Sequence, residues 1–147
     1  MAVVTRRFVE NQAARLLRRT PSLSELRWHV GPLADAPLND ICALIQDAWQ
    51  RAYGNRIRIA FTPELLRYAA ACSDAPGMVT TAEDADGLCG VMLGLPLDWE
   101  TGTDHGPATL STGLCVATRH EGGSLVELLL TRHGLHLIDA GHGFNFH

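Results

Sequence analysis

Apolar residues recur along this chain with two different periods, which predict its helices and strands. Recurrence every three or four positions predicts helices at residues 5–19, 37–53, 64–72 and 124–140. Alternating or continuous apolar runs predict strands at residues 25–30, 78–82, 88–96 and 108–116, and residues 143–147 look like the beginning of another. Strand 88–96 is apolar at nearly every position apart from its glycines, which is typical of a central strand buried on both faces.

Turn signals separate these segments. The acidic stretch 83–87 joins two strands closely enough to predict a hairpin. The polar stretch 98–107 and the stretch 117–123 predict loops. Thr62 followed by Pro63 and Glu64 predicts a capped helix start.

The length of 147 residues favours one domain with a substantial apolar core. Residues 1–22 predict a basic helical arm, and residues 23–147 the domain itself. All twelve basic residues are arginines, which indicates a bacterial source with GC-rich DNA. The net charge of −4, concentrated outside the arm, argues against nucleic acid as the main partner.

Cysteine usage and hydropathy bear on the cellular compartment. The cysteines are widely spaced in apolar settings, which predicts buried thiols and argues against a zinc or disulfide framework; they are Cys42, Cys72, Cys89 and Cys115. No run of eighteen apolar residues and no apolar leader occurs, so we expect a cytoplasmic protein that does not enter membranes.

The order strand, helix, helix, three strands, loop, helix, strand resembles that of the GCN5-related N-acetyltransferases. The resemblance spans residues 25–147 and is sharpest over residues 114–130, LCVATRHEGGSLVELLL, which are similar to the family's strand, pyrophosphate loop and helix. It implies an α/β (α+β) fold with a mixed, mostly antiparallel sheet flanked by helices. Family members continue into another helix and two more strands, so we expect the acetyl-CoA-binding half, truncated after the fifth strand.

The family's loop motif is Q/R-x-x-G-x-G/A, whose glycines let the backbone approach the coenzyme A pyrophosphate. One register sets Glu121 at the Q/R position, Ser124 at the first glycine and Val126 at the small position. Another register, Arg119 to Gly122 to Ser124, matches better by letter but shortens the loop by two residues, and we prefer the first. The resemblance then implies cofactor contacts at Cys115, Val116, Glu121, Gly122, Gly123, Ser124, Leu125 and Val126.

The preferred register implies a weakened site, because the Glu121 carboxylate repels phosphates and Val126 adds bulk where backbones must approach. The helix-start N–H groups persist whatever the side chains. The resemblance implies an acyl-CoA-dependent N-acyltransferase that acts on a small-molecule or protein amine with acetyl-CoA or another acyl-CoA as co-substrate. The alternative is a non-catalytic module, either a partner-binding domain or half of a homodimer or of a sheet completed by a second polypeptide.

No catalytic residue is assigned. The acids Asp98, Glu100 and Asp104 are the best candidates for a general base, although the favoured interpretation is an acidic surface loop. The spacing of His133 and His136, three apart with a glycine between them, does not favour a metal site. No local signature supports Ser111 or Cys115 as a nucleophile.

Overall fold

The computed structural model describes residues 2–54, 56, 60–73, 75–141 and 144–146, with side chains described from residue 6 to residue 141 within those ranges. The α-helices are α1 (Ala2–Arg19), α2 (Leu38–Tyr53), α3 (Pro63–Ala71) and α4 (Leu125–Asp139). The strands are β1 (Arg27–Pro32), β2 (Met78–Asp84), β3 (Gly87–Thr101), β4 (Asp104–Val116) and β5 (Phe144–Phe146). Short 3-10 turns occupy Pro21–Glu25, Leu33–Asp35 and Thr118–His120. Residues 143 and 147, the ends of the last predicted strand, lie outside the described residues.

The strands form one sheet in the order β1-β2-β3-β4-β5, with β3 in the centre as predicted. Neighbours from β1 to β4 are antiparallel, and β5 runs parallel to β4. The mixed, mostly antiparallel α+β class is therefore confirmed. In the described part of the chain, no helix has both the length and the apolarity needed to cross a bilayer.

Local signals account for the helix ends. Thr62 caps α3, since its hydroxyl accepts a hydrogen bond of 3.2 Å from the Leu65 N–H. Gly54, at φ 58°, ends α2 in the left-handed region that favours glycine.

Helices cover both faces of the sheet. One core lies between the sheet and the helices α2 and α3. Its buried apolar side chains come from the sheet, from both helices and from the turn before α2, and they include Leu33, Ile41, Ile45, Leu66, Val79, Val91 and Leu93. On the other face, α4 and the N-terminal helix enclose a second core that includes Leu16, Leu23, Ala82, Cys89, Leu125, Leu128 and Leu129. The basic helix α1 thus packs on α4, and its Leu16 is buried.

The prediction of a loop at residues 98–107 was wrong. Strands β3 and β4 continue through it as a long hairpin, in which Asp98 pairs with Pro107 and Glu100 with His105, and Gly102 turns the chain at φ 61°. The polar composition is typical of a loop, but here it belongs to a hairpin tip exposed to water, where backbone pairing needs no apolar face. The prediction for Cys72 was also wrong, because this residue is exposed after the end of α3.

A β-bulge that was not predicted interrupts β4. Leu93 pairs with Thr112 and Val91 with Cys115, so β4 uses one more residue than β3 over the same stretch. Gly113, inside the bulge, has φ 63°, and a Cβ there would lie 3.0 Å from the Leu93 Cδ1 and 3.2 Å from the Ile45 Cδ1. The bulge therefore requires glycine for both backbone and packing reasons.

We expect Gly113→Ala to lower the free energy of unfolding by about 2–4 kcal/mol, since left-handed backbone strain adds to overpacking against two core side chains. Gly102→Ala is the matched control, because its φ of 61° is nearly the same and nothing lies within 4 Å of its added Cβ. It should cost about 1–2 kcal/mol. Urea unfolding measures both, and equal losses would show that the bulge has room for a side chain.

Candidate functional site

The connection from β4 to α4 begins in the core and ends at the surface. The Ala117 N–H donates 2.8 Å to the Cys89 carbonyl, which extends the strand pairing past Val116. The 3-10 turn Thr118–His120 follows, and then Glu121 to Gly123 lie exposed. Gly122 has φ 72°, and a Cβ added to it would meet nothing within 4 Å, so the backbone here is strained for other residues and open to solvent.

The loop leads to the start of α4, which has no side-chain cap. Ser124 stands at the N-cap of α4, and its side chain makes no capping hydrogen bond. The Ser124 hydroxyl instead accepts 3.3 Å from the Thr20 hydroxyl. The first-turn N–H groups of a helix have no intrahelical acceptors, and the helix dipole places positive charge there. This end of α4 is therefore suited to an anion.

A cavity of about 330 Å³ opens beside this loop, between the last turns of α2, the end of β4 and the first turn of α4. Its wall is largely apolar and includes the rings of Trp49 and Tyr53, whose centroids are 4.8 Å apart and whose planes are tilted by 35°. The residues that line it are Ala48, Trp49, Ala52, Tyr53, Leu114, Cys115, Val116, Glu121 and Val126.

The structure thus brings four of the eight predicted contact residues to one cavity: Cys115, Val116, Glu121 and Val126. Gly122, Gly123 and Ser124 continue along the loop beside it. Leu125 differs, because its side chain is buried between α4 and β3, where its Cδ2 lies 3.3 Å from a Cβ placed on Gly90. Only the main chain of Leu125 is available to a ligand.

Arg51, on α2, holds the loop from one side. Its Nε donates 2.9 Å to the Glu121 carboxylate, and its Nη2 donates 3.2 Å to the Val116 carbonyl. Its Nη1 forms an ion pair with Asp47, one turn earlier on the same helix. The Glu121 charge, expected to repel phosphates, is therefore already partnered by a guanidinium. Sequence reasoning missed Arg51, since nothing local links a polar position of one helix to a loop seventy residues later.

Asp84, at the end of β2, holds the same loop from the other side. The Arg119 guanidinium donates 2.7 Å to each Asp84 oxygen, and the His120 Nε2 lies 2.8 Å from Oδ2. The hydrogen bonds from Arg119 hold the pKa of the Asp84 carboxyl well below its usual range, against a smaller opposing effect of desolvation. This cluster fixes the 3-10 turn before the exposed glycines.

Comparisons with solved structures identify the architecture. No protein-family model and no curated protein sequence matches the chain significantly. A GCN5-related N-acetyltransferase from Ralstonia eutropha is similar at a TM-score of 0.57 and 15% identity, over 83% of this chain and 82% of that one. The chain has the GCN5-related N-acetyltransferase fold. A predicted acetyltransferase from Clostridium acetobutylicum, solved with acetyl-CoA, is similar at a TM-score of 0.61 and 13% identity, over 82% of this chain and 78% of that one. An aminoglycoside acetyltransferase from an uncultured soil metagenomic sample is similar at a TM-score of 0.56 and 15% sequence identity, over 84% of this chain and 76% of that one.

The two loop registers assign different residues to the positions of the family motif. The preferred register assigns the first glycine position to Ser124, at the N-cap of α4, and the small position to Val126, in the first turn of α4 beside the cavity. In the shorter register, the first motif position falls on Arg119, whose side chain is committed to Asp84. The assignment of contact residues stays a prediction.

The Asp84 cluster also has the composition of a metal site. One ligand atom each from Asp84, Cys89 and His120 lies within 4.8 Å of the others. Arg119 already occupies both Asp84 oxygens, and its positive charge opposes a cation. Desolvation raises the pKa of the Cys89 thiol to about 11, which favours the protonated form over the thiolate that metals bind. The cluster is therefore best described as an ion-pair network.

The candidate bases lie on strands at the hairpin tip, far from the loop. Asp98 accepts 3.2 Å from the Ser73 hydroxyl, and with Glu100 it lines a second cavity, of about 690 Å³, whose wall includes Trp99 and His105. The β4 partner of Asp98 is nine residues before Val116, a separation of roughly 30 Å along an extended strand. The structure does not bring these acids to the loop.

We expect Asp84→Asn to lower the free energy of unfolding at pH 7 by about 1–3 kcal/mol, because a charged acceptor of three side-chain contacts is lost. The folded-state pKa of Asp84 lies below the unfolded value near 4, so its stabilisation is complete above pH 4 to 5 and is lost as pH falls towards the folded-state pKa. The difference between wild type and variant should therefore shrink below about pH 4.

Urea unfolding from pH 7 to pH 3 measures this difference. Asp86→Asn is the control, since it removes the same charge from the same turn without removing the carboxylate that Arg119 binds. Parallel pH curves for wild type and Asp84→Asn would contradict the assignment.

Proposed function

We propose that this chain binds an acyl-CoA at the loop between β4 and α4 and transfers its acyl group to an amine. The observation that carries this proposal is the exposed, left-handed Gly122 in a loop that leads to the uncapped start of α4 and opens onto the cavity beside Val116. A phosphate-bearing ligand needs close backbone approach, unpartnered N–H groups and a neighbouring apolar groove for its uncharged arm.

The arrangement of β4 supports a place for the pantetheine arm. Among the described residues, pairing between β4 and β5 covers Ala108–Leu110, whereas β4 continues to Val116. The arm carries two amides, which are suited to hydrogen bonding along an extended strand. In this proposal the pyrophosphate sits at the start of α4 and the arm runs back along β4 towards the bulge at Gly113.

Direct transfer accounts for the chemistry without an assigned acid or base. The amine nitrogen attacks the thioester carbonyl carbon, the carbon–sulfur bond breaks, and the amine proton passes to solvent while the thiolate is protonated to free coenzyme A. Catalysis then rests on positioning and on main-chain N–H groups that polarise the carbonyl. The bulge supports this, because a bulged residue leaves the ladder and turns its peptide groups away from β3.

The acceptor is proposed to be a small-molecule amine. The aminoglycoside acetyltransferase with the same fold is named for a substrate of that class. A non-catalytic module that binds a partner or forms half of a dimer is the second candidate. It is favoured by the Glu121 carboxylate, which lies on the loop where an anion is expected.

Isothermal titration with acetyl-CoA tests the binding step, and thermal unfolding provides a second readout. Acetyl-CoA at one hundred times its dissociation constant should add about 2.7 kcal/mol of apparent stability. Failure to bind would refute both the site and the transferase. Release of thiol from acetyl-CoA in the presence of aminoglycosides, amino sugars and polyamines distinguishes the enzyme from the non-catalytic module, which releases none.

We expect Gly122→Ala to weaken acetyl-CoA binding about tenfold or more, because the added Cβ forces the loop out of its left-handed conformation. Gly141→Ala is the matched control. Its φ of 74° is close to the 72° of Gly122, both sites are open, and it follows the opposite end of α4. Both variants should lose about 1–2 kcal/mol of stability. Unchanged affinity in Gly122→Ala would place the ligand elsewhere.

A further inference from the structure

We infer that Arg51 binds a phosphate of the ligand and that Glu121, its counter-ion in this structure, is a carboxylate that the phosphate must displace. The inference rests on the proposed acyl-CoA site. It adds a residue from α2, outside the loop motif, and gives the Glu121 side chain a defined effect on affinity.

The geometry of Arg51 divides its donors between two directions. Nε and Nη2 point towards the loop, where they meet the Glu121 carboxylate at 2.9 Å and the Val116 carbonyl at 3.2 Å. Nη1 points along α2 to Asp47. Nε and Nη2 form one edge of the planar guanidinium, and such an edge matches two oxygens of a phosphate or carboxylate. Glu121 now engages Nε of that edge, whereas Nη2 donates to the Val116 carbonyl and carries a second N–H for a phosphate oxygen.

The burial of the two partners indicates which one would move. The Arg51 side chain is 26% exposed, and it is anchored by Val116 and Asp47. The Glu121 side chain is 52% exposed and stands next to Gly122, the left-handed position. A half-exposed carboxylate regains its hydration when it turns into water, which offsets much of the lost ion pair, whereas Arg51 is already in place. An arriving phosphate would therefore keep Arg51 and expel Glu121.

Charge favours the same exchange. A carboxylate that remained on the loop would lie close to the phosphates and repel them, whereas a phosphate in its place gains both the guanidinium and the positive end of α4. Glu121 thus engages the donor that a phosphate would use, and together with Asp47 it leaves the guanidinium flanked by two carboxylates. This arrangement explains how a loop with an acid at the first motif position remains suited to an anion, with an affinity reduced by the competition.

Calorimetric dissociation constants for acetyl-CoA and for S-acetylpantetheine, which lacks the phosphates, test the inference. Arg51→Gln should weaken acetyl-CoA binding roughly tenfold to a hundredfold, the range for a lost charge-assisted pair, and leave S-acetylpantetheine unchanged. Glu121→Gln should tighten acetyl-CoA binding about threefold to tenfold. Asp40→Asn is the matched control: it removes a carboxylate from the same helix, eleven residues and roughly 16 Å before Arg51, and it should change affinity less than twofold.

Three outcomes would contradict the Arg51 role, the Glu121 role or the proposed function, and they can be told apart. If Arg51→Gln binds acetyl-CoA like wild type, or loses S-acetylpantetheine equally, Arg51 has no phosphate role, although the proposed function stands. If Asp40→Asn and Glu121→Gln tighten binding equally, the effect is general electrostatics and the counter-ion role is overturned. If wild type binds neither ligand, the proposed function itself fails.

Arg51→Lys is a second variant that tests the same residue in case Arg51→Gln does not fold. It keeps the charge but loses the planar edge, and we expect affinity for acetyl-CoA between those of wild type and Arg51→Gln. Thermal unfolding of each variant without ligand separates lost binding from lost structure. A lysine variant that is folded and binds as tightly as wild type would show that the planar edge is not used.

Discussion

The close approach of α4 to the central strand β3 determines where every other part of the site can lie. Two glycines of β3 make that approach possible: a Cβ on Gly90 would lie 2.8 Å from the Leu129 Cδ1, and one on Gly94 would lie 3.1 Å from the His133 ring. The buried His133 Nδ1 is 3.0 Å from the Thr80 hydroxyl on β2, which adds a polar contact to the apolar packing. Because α4 is held this tightly across the sheet, its N-terminus stands at a defined distance from the end of β4.

The loop between those two ends is held by charge rather than by apolar burial. Arg51 reaches it from α2, and Asp84 reaches it from β2 through Arg119 and His120. Exposed ion pairs contribute little each, but these contacts tie the segments before and at Glu121 to two different elements. The exposed glycines between them remain the adaptable part. A preorganised frame around a short adaptable segment suits a site that must admit a bulky anionic ligand.

Periodicity predicted most of the fold because each face of the sheet is buried under helices, so the core positions repeat with clear helical or strand spacing. It misread residues 98–107, where the hairpin leaves the core and the polar residues report solvent exposure instead of backbone geometry. Cys72 was misassigned for a related reason, since an apolar neighbourhood in sequence lies at an exposed helix end. An isolated glycine in a strand pattern signals a bulge, and that signal was present at Gly113 but was not used.

The sequence by itself determined the order and type of the elements, the resemblance to an acetyltransferase fold and the segment where a cofactor loop would lie, because these depend on local periodicity and turn chemistry. Only the tertiary structure decided that Arg51 partners Glu121, that Asp84 fixes Arg119 and His120, and that the hairpin acids lie far from the loop. The ion pairs that hold the loop join residues 35 to 70 positions apart. Side-chain pairing at such separations follows from tertiary packing rather than from any local pattern.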